Sequence, residues 1–449
     1  MLYCEDMSLD KKTLKGAEIQ ATPNVSPSTK STNVTGAIVK QVDTDLGKLL
    51  TANVYRRSFF SERVLPRPEE VTKNPPDPAI KLSKYAETHF RSPKSAQEIV
   101  EAARDPQGKF IRPSGYYSYT DHDADKGTPE VDTGTAIKTC EVLKDWLQKE
   151  YGSEIDLEWM VLCTSAAGAV DVLADCQREN DTRPTKVATI SPTFHRFITH
   201  GQKHDGLIPL KEDRNSGWKL DIARLTSTLQ NGKFTHFVLT NPNNPTGTVY
   251  SPKDLRTIVS LCKKYNVTLI SDEVWCDLVL DEKTRFTPAL VAAKKHKYQG
   301  GTATIYSGGK TFNTSGFPCT VAIIPDPHMR QAFREKTQRP TVLACEVTMA
   351  CLRDGKAYLS ALKPYLRKNV ARTARALNAA GFPTPIPQAS YMLFAKVGEK
   401  NAAGKERLKN AGIGTHHKSF GDDDYERITV GEPYDIVNEC CKNLQRQKY

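Results

Sequence analysis

Short apolar runs alternate with longer stretches of helical periodicity from about residue 95 onwards. The runs are rich in β-branched and aliphatic residues and have the length of buried strands. Strands are predicted within 158–177, where a small-residue turn and a helix follow, and at 186–192, 235–240, 267–273, 302–307 and 320–326. Helices are predicted at 95–105, 136–152 and 251–266. This alternation predicts an α/β fold with a mostly parallel, doubly wound sheet.

The pattern changes on either side of this region. After about residue 340 it is mainly helical through 366–381, and strand-like runs follow at 391–397 and 426–433, which predicts a smaller α+β domain. The first 45 residues show no sustained period, and the segment that follows is rich in proline. We therefore predict a flexible N-terminal extension at 1–45, an N-terminal arm with part of the small domain at 46–110, a large ligand-binding domain at 111–340 and a C-terminal small domain at 341–449.

Composition narrows the class of protein. The 449 residues are 38% hydrophobic and 26% charged, and no apolar run approaches the ~20 residues that cross a bilayer. Eleven cysteines without CxxC spacing favour reduced, buried thiols over disulfides or a metal site. The N-terminus lacks the apolar core of a signal peptide. We expect a cytoplasmic protein with no membrane, metal or nucleic-acid site, whose charge of +11 favours small anionic ligands.

The turn TSAAGA at 164–169 follows a predicted strand and opens a helix. Ligands of open α/β sheets bind beyond the carboxyl ends of the strands. Small residues at a helix N-terminus let backbone N–H groups approach a phosphate. The alternative is a turn that serves tight packing alone.

Two further motifs follow predicted strands. In NPNNPTG at 241–247, two prolines and a glycine favour a rigid loop that presents Asn243 and Asn244, although an ordinary turn is the alternative. In ISDEVWCDL at 270–278, Asp272 ends an apolar run, where a carboxylate is costly unless paired. It is either a helix N-cap or the partner of a buried cationic ring nitrogen.

Lys310 lies in IYSGGKTFNTSGF at 305–317, where a predicted strand gives way to small residues. A lone lysine is usually a surface residue. Together, however, a lysine for a Schiff base, an aspartate for a pyridinium nitrogen, an asparagine for a phenolic oxygen and a phosphate turn are the groups needed to bind pyridoxal 5′-phosphate.

With these motifs the sequence resembles the fold-type I pyridoxal-phosphate enzymes of the class I/II aminotransferase superfamily, over about residues 85–435. The strings SDEVWCDLVL, GGKTFNTSGF and PTFHRF are similar to the cystathionine β-lyase-like C–S lyases. The string RITVGEP is closer to the histidinol-phosphate aminotransferase type. The resemblance implies the cofactor, a homodimer with shared active sites and an amino-acid substrate.

The resemblance also implies roles around the cofactor ring. Lys310 forms the Schiff base and moves the proton of the substrate α-carbon. Asp272 pairs with the ring nitrogen, Asn244 bonds the ring 3′-oxygen, and Phe194 stacks on the ring. Trp275 stands where the family often has a tyrosine, and its indole donates but does not accept a hydrogen bond.

Other residues are implied at the phosphate and the substrate. The cofactor phosphate is matched to the backbone N–H groups of Ala166 and Ala167 and to the Ser307 hydroxyl. Tyr119 loosely matches a tyrosine that reaches the phosphate of the partner subunit's cofactor.

Arg427 matches the arginine that grips the substrate α-carboxylate, and His195 and Arg196 are candidates to face the substrate. The arginine that many members place eight residues after the lysine is Pro318 here.

Three functions are compatible with the same motifs. An aminotransferase is the first hypothesis. A C–S lyase or a β/γ-elimination, replacement or cyclisation enzyme is the alternative, because the required residues are shared and the outcome depends on where the substrate carbanion is protonated. A cofactor-binding regulator without catalysis is the third.

Overall fold

The computed structural model describes residues 92–102, 133–213, 217–414 and 420–447. Its helices are Lys94–Ala102 (α1), Thr133–Tyr151 (α2), Ala166–Ala174 (α3), His195–Lys203 (α4), Ile222–Gly232 (α5), Pro252–Lys264 (α6), Ala289–Lys295 (α7), Pro327–Lys336 (α8), Val342–Ala379 (α9), Ala402–Asn410 (α10) and Tyr434–Arg446 (α11). Its strands are Met160–Cys163 (β1), Val187–Ser191 (β2), Leu207–Pro209 (β3), Lys211–Asp213 (β4), Gly217–Lys219 (β5), His236–Thr240 (β6), Thr268–Asp272 (β7), Thr302–Tyr306 (β8), Thr320–Ile323 (β9), Met392–Lys396 (β10) and Tyr425–Thr429 (β11). The expected extension at 1–45 lies outside the described residues.

Seven strands form the central sheet in the order β1-β9-β8-β7-β6-β2-β3. All neighbouring pairs are parallel except those of β9, which runs antiparallel to both β1 and β8. The mostly parallel α/β sheet is therefore confirmed. The direction of β9 was not predicted; it results from the connection after β8, which consists of turns and lacks the crossover helix that a parallel return needs.

Helices cover both faces of this sheet. Successive residues of a strand point to opposite faces. In β6 and β7, Phe237 and Leu269 belong to the apolar cluster that includes Leu255 of α6, whereas Val238 and Ile270 belong to the cluster that includes α3 and α8. The strands are consequently buried on both sides, which explains why their sequences are continuous apolar runs rather than alternating ones.

Local signals fix the ends of several helices where the sequence predicts them. Helix α6 starts with a capping box in which the Ser251 hydroxyl accepts from the Asp254 N–H, and the Asp254 carboxylate accepts from the Ser251 N–H. Helix α2 ends at Tyr151, and Gly152 follows with a φ of +66°. The helix predicted at 366–381 is the C-terminal part of the 38-residue α9.

Strands β10 and β11 form a separate antiparallel pair, in which Phe394 lies opposite Arg427. Met392, Leu393 and Ala395 of β10 and Ile428 of β11 join residues of α9 and α11 in one apolar cluster. Within the described part of the chain, no helix is both long and apolar enough to cross a bilayer. The cysteines of that part, Cys140 to Cys441, are all buried and free.

The loop after β6 is held against the segment before β10. Ala389 N–H donates to the Gly247 carbonyl oxygen at 3.0 Å. Gly247 has a φ of +68°, and a Cβ placed there would lie 2.5 Å from the Ala389 carbonyl oxygen and 2.3 Å from Pro387 Cβ. The position therefore requires glycine both for its backbone conformation and for this close approach.

We expect Gly247→Ala to lower the free energy of unfolding by about 2–5 kcal/mol, because it combines left-handed strain with overpacking. Gly300→Ala is the matched control, since a Cβ at Gly300 meets nothing within 4 Å. Denaturant midpoints followed by tryptophan fluorescence compare the two variants. Equal midpoints would contradict the assignment of a glycine requirement to Gly247.

Candidate active site

A cavity of about 660 Å³ lies at the carboxyl ends of the parallel strands. It is lined by the residues that follow β1, β2, β6 and β8, by the last residue of β7 and by one residue of β11. Of the site residues expected from the sequence, it contains Lys310, Asp272, Asn244, Phe194, Ala166, Ala167, Ser307, Trp275, Arg427 and His195. Tyr119 lies outside the described residues.

The lining also includes residues that the sequence reasoning did not select. Thr164 and Ser165 belong to the TSAAGA turn, and Thr314 and Ser315 belong to the segment after Lys310. Their hydroxyls are a signal that could have identified them. Cys319 and Thr320 could not be identified from their position in the sequence, because they reach the cavity through the antiparallel course of β9. Val274, Gly309 and Pro318 complete the set.

Asp272 is buried at the end of β7 with its carboxylate at the cavity wall. Among the described residues, the hydrogen bond found to this carboxylate comes from Val274 N–H, at 3.3 Å. Burial raises the pKa of Asp272 to about 7, and the bond from Val274 opposes this rise only in part. The helix N-cap interpretation of Asp272 is wrong, because no helix starts there. A cation in the cavity would instead supply the missing counter-charge.

The next residue, Glu273, is also buried but turns away from the cavity. Its Oε1 accepts from Ser271 Oγ at 3.0 Å and from Ala289 N–H, the first residue of α7, at 2.8 Å. Burial raises the pKa of Glu273 to about 8, and the Asp272 charge contributes to the rise. Glu273 therefore joins the strand end to α7, whereas Asp272 faces the cavity.

The two asparagines of the NPNNPTG loop have different surroundings. Asn243 is bonded within the loop, where its Oδ1 accepts from Thr246 N–H at 3.1 Å and from Thr246 Oγ1 at 2.7 Å. Asn244 lines the cavity, and its Oδ1 accepts from Arg427 Nη1 at 3.1 Å. This bond fixes the orientation of the Asn244 amide, whose N–H groups then point away from Arg427.

Arg427 is a buried guanidinium. Its Cζ lies 4.7 Å from the centroid of the Phe420 ring, a cation–π contact. Burial lowers the pKa of Arg427 to about 10, against the opposing effect of Tyr391. Because Asn244 and Phe420 are neutral contacts, a carboxylate that entered the cavity would add a strong charge-assisted interaction.

The anion end of the cavity is formed by the N-terminus of α3. Ser165 is its N-cap and accepts from Gly168 N–H at 3.0 Å, while Ala166 and Ala167 occupy the first turn, whose N–H groups have no partner within the helix. Ser307 also lines the cavity, but its hydroxyl donates to the Cys319 carbonyl oxygen at 3.2 Å. The cavity wall thus offers an anion the helix dipole and the hydroxyl proton of Ser165.

His195 lines the cavity, but Arg196 does not. Arg196 instead pairs with Asp171 of α3, and His200 Nε2 contacts the same carboxylate at 2.9 Å. The expectation that Arg196 faces the substrate is therefore wrong: His195 and Arg196 are consecutive residues at the start of α4, so their side chains leave the helix in different directions. Phe194 packs edge-on against Phe197, with 5.4 Å between ring centroids.

Lys310 occupies a turn that small residues and internal hydrogen bonds keep tight. Phe312 N–H donates to the Gly308 carbonyl oxygen at 2.8 Å, and Thr314 N–H donates to that of Gly309 at 3.0 Å. Trp275, almost fully buried, meets Tyr391 edge to face at 5.2 Å. The cavity therefore combines an amine, a buried carboxylate, a guanidinium and a helix N-terminus.

Comparisons with known proteins agree with these features. The model of the family "Aminotransferase class I and II" matches residues 80–441. Protein MalY of Escherichia coli is 27% identical over 260 residues, which cover 56% of this chain and 64% of MalY. Cystathionine beta-lyase PatB of Bacillus subtilis is 25% identical over 338 residues, 73% of this chain and 81% of PatB.

Other relatives are named as transaminases. Human kynurenine–oxoglutarate transaminase 1 is 29% identical over 199 residues, 41% of this chain and 45% of that protein. Coverage of MalY and of this transaminase stays below two thirds of their length. The solved structure of cystalysin from Treponema denticola, which contains pyridoxal 5′-phosphate, has a TM-score of 0.69 at 19% identity, with 82% of this chain and 91% of that chain covered.

We expect Asp272→Asn to stabilise the ligand-free protein at pH 8. The folded-state pKa of about 7 exceeds the ordinary value of 3.8, so stability from the neutral carboxyl is complete below pH ~4 and is lost as pH rises through 7. A shift of this size corresponds to at most about 4 kcal/mol.

Thermal midpoints of the ligand-free wild type and variant, compared at pH 4 and pH 8, test this sign. The midpoints should nearly agree at pH 4, and the advantage of the variant should grow up to pH 7 and persist at pH 8. Glu273 titrates in the same direction in both proteins, so part of the pH slope remains in the variant. A variant less stable than the wild type at pH 8 would show that Asp272 already has its counter-charge.

Proposed function

The chain belongs to the class I and II aminotransferase family, and we propose that it is a pyridoxal-phosphate-dependent enzyme that transfers the amino group of an α-amino acid. The observation that carries the proposal is the buried carboxylate of Asp272, which faces a cavity that also holds Lys310. A ring nitrogen that binds a proton is the type of cation that this carboxylate lacks. A neutral ligand would leave its ionisation cost uncompensated.

The residues present fit this cofactor. Asp272 matches the ring nitrogen, since a pyridinium cation would offset the burial that raises the pKa of the carboxyl. The first turn of α3 and the Ser165 hydroxyl suit a phosphate dianion, and Ser307 would join them if its hydroxyl turned from the Cys319 carbonyl oxygen. Pro318 lies in the lining where many relatives have a basic residue, so phosphate binding would rest on dipoles and hydroxyls.

When bound, the cofactor supplies an aldehyde that condenses with amines and a ring that withdraws electrons from the substrate α-carbon. Lys310 would hold the cofactor through its amine, and the same amine would remove the proton from the substrate α-carbon. Asp272 would keep the proton on the ring nitrogen. Phe194, at the cavity wall, would stack on the ring.

Substrate binding would involve Arg427 and Asn244. The Arg427 guanidinium accepts a planar carboxylate through paired N–H groups, and its burial strengthens the attraction. The Asn244 oxygen holds the guanidinium in place, while its N–H groups suit the 3′-oxygen of the ring. His195, which also lines the cavity, is proposed to face the substrate.

A C–S lyase, or another enzyme of elimination, replacement or cyclisation, is the second candidate. It is favoured by the likeness to PatB, which is named a cystathionine beta-lyase and of which the chain covers 81%. Trp275 also favours it, because an indole at this wall cannot accept the hydrogen bond that a phenol can. Both reactions share every step up to removal of the α-proton.

A spectral screen of single amino acids without a keto-acid acceptor tests the proposed reaction. For transamination we expect loss of the visible cofactor band in one turnover, and its return when a keto acid is added. Continuous formation of ammonia and a keto acid with the band retained would instead establish elimination.

Lys310→Ala is the control for this screen. It should retain its fold but lose turnover by at least about 10³-fold, because the amine both holds the cofactor and moves the proton. Turnover at the wild-type rate in this variant would overturn the assignment of Lys310.

We further propose a homodimer with shared active sites, located in the cytoplasm. Family membership and the sequence match of Tyr119 to a residue that reaches the partner subunit's cofactor support the dimer. Free, buried cysteines support a reducing compartment.

Sedimentation of the cofactor-loaded protein should give a single species of about twice the chain mass of 50.0 kDa. Tyr119→Phe should weaken cofactor retention without dissociating this species. A monomer with full activity would contradict the dimer proposal.

A further inference from the structure

Asp277 lies in the same ISDEVWCDL motif as Asp272, yet it does not line the cavity. It lies in the short 3₁₀ turn Cys276–Leu278 and is 1% exposed. Four donors surround its carboxylate: Oδ1 accepts from Trp146 Nε1 at 3.2 Å and from the Tyr151 hydroxyl, and Oδ2 accepts from the Tyr306 hydroxyl at 2.8 Å and the Thr311 hydroxyl at 3.1 Å.

The two oxygens bond different parts of the protein. The donors to Oδ1 both come from α2. The donors to Oδ2 come from the two sides of the lysine turn: Tyr306 is the last residue of β8, and Thr311 directly follows Lys310. One carboxylate oxygen therefore joins the start and the end of the short span, 306–311, that carries the Lys310 amine.

The chemistry of this cluster suits a fixed anchor. Four donors stabilise a carboxylate anion, and bonds to a charged acceptor are stronger than neutral ones. Burial and the Asp277 charge raise the pKa of Tyr151 and Tyr306, so both phenols stay protonated and act as donors. Lys363 of α9 also feels this charge, which opposes the lowering of its pKa by burial.

Backbone pairing holds the start of the lysine turn, where Tyr306 pairs with Val321 of β9. Beyond β8, the backbone bonds from Phe312 to Gly308 and from Thr314 to Gly309 are internal to the turn. The bonds to Asp277 instead tie the turn to the segment after β7, which also presents Asp272. The segment 272–277 therefore carries both the cavity carboxylate, Asp272, and the carboxylate that bonds the lysine turn, Asp277. It thereby sets the position of the Lys310 amine relative to Asp272.

We propose that Asp277 is a positioning residue, whose Oδ2 holds the Tyr306–Thr311 span so that Lys310 meets the cofactor and the substrate in a productive geometry. The inference rests on the proposed function and assigns to it a residue that touches neither ligand. Displacements of the order of 1 Å cost about 100-fold in rate when an amine must reach a reacting carbon.

The chain offers a matched set of variants. Tyr306→Phe and Thr311→Val each remove one bond to Oδ2, and Tyr151→Phe removes one bond to Oδ1 of the same carboxylate. Thr311→Ser keeps the hydroxyl and serves as the conservative rescue. These single changes avoid Asp277→Ala, which would leave four buried donors unsatisfied and put folding at risk.

The experiment adds pyridoxal 5′-phosphate to each ligand-free variant and follows its attachment. Borohydride reduction makes the link to Lys310 permanent, and mass spectrometry of the peptide counts it. Circular dichroism in the visible cofactor band reports the orientation of the ring, kcat and KM are measured with the donor found in the screen, and thermal midpoints control for folding.

For the Tyr306→Phe/Thr311→Val double variant we expect attachment at least about 10-fold slower, a changed dichroic band and a kcat about 10–100-fold lower with KM nearly constant. Tyr151→Phe should lose about as much stability as Tyr306→Phe or Thr311→Val alone but stay within about twofold of the wild type in attachment and kcat. Thr311→Ser should match the wild type.

Equal behaviour of Tyr151→Phe and the double variant would overturn the positioning role and leave Asp277 as a structural anchor. Attachment at the wild-type rate in the double variant would also overturn it. Failure of the proposed function is distinguishable, because the wild type would then show no borohydride-trapped link at Lys310.

Discussion

The Asp272 carboxylate ends a strand that is buried on both faces, and its ionisation is costly there until a cation arrives. A hydrophobic side chain at this position would stabilise the sheet without that cost. Much of the architecture provides the setting for this charge. The parallel strands bring their carboxyl ends to one edge, where Asn244, Phe194 and Lys310 gather around it. A cationic ligand would thus supply the counter-charge that the buried Asp272 carboxylate lacks.

The segment 272–277 contains three carboxylates whose hydrogen bonds, and therefore whose possible roles, differ. Asp272 has one backbone donor and faces the cavity, which leaves its charge available to a ligand. Glu273 accepts hydrogen bonds from the Ser271 hydroxyl and from the N–H of the first residue of α7. Asp277 has four donors and needs no ligand. The number of hydrogen-bond donors, rather than the residue type, distinguishes the carboxylate that is available to a ligand from the two that connect segments of the protein.

The sequence predicted the elements and much of the cavity, because both are local properties. Apolar runs define the strands, and strand ends define the cavity edge, so the presence of Asp272, Asn244 and Lys310 in its lining could be predicted, whereas their roles rested on the family resemblance. Properties that depend on tertiary structure were not accessible. The antiparallel course of β9 brings Cys319 and Thr320 to the cavity.

The side chain of Arg196 is held by Asp171, a residue 25 positions earlier. The bond from Tyr151 to Asp277 spans 126 positions. No local pattern encodes pairings of this kind, since each depends on how distant segments meet in the folded chain.

The choice between transamination and elimination depends on the few groups that differ from the shared set. In the proposed function, Lys310, Asp272 and Arg427 would serve both reactions equally, because each would act before the substrate carbanion is committed. The outcome would then depend on which atom is protonated next, and therefore on the reach of the Lys310 amine and on the wall formed by Trp275 and His195. A rigid lysine turn would restrict that reach to few positions, whereas a loose one would allow several. The proposed positioning of the turn by Asp277, through Tyr306 and Thr311, would therefore bear on reaction specificity as well as on rate.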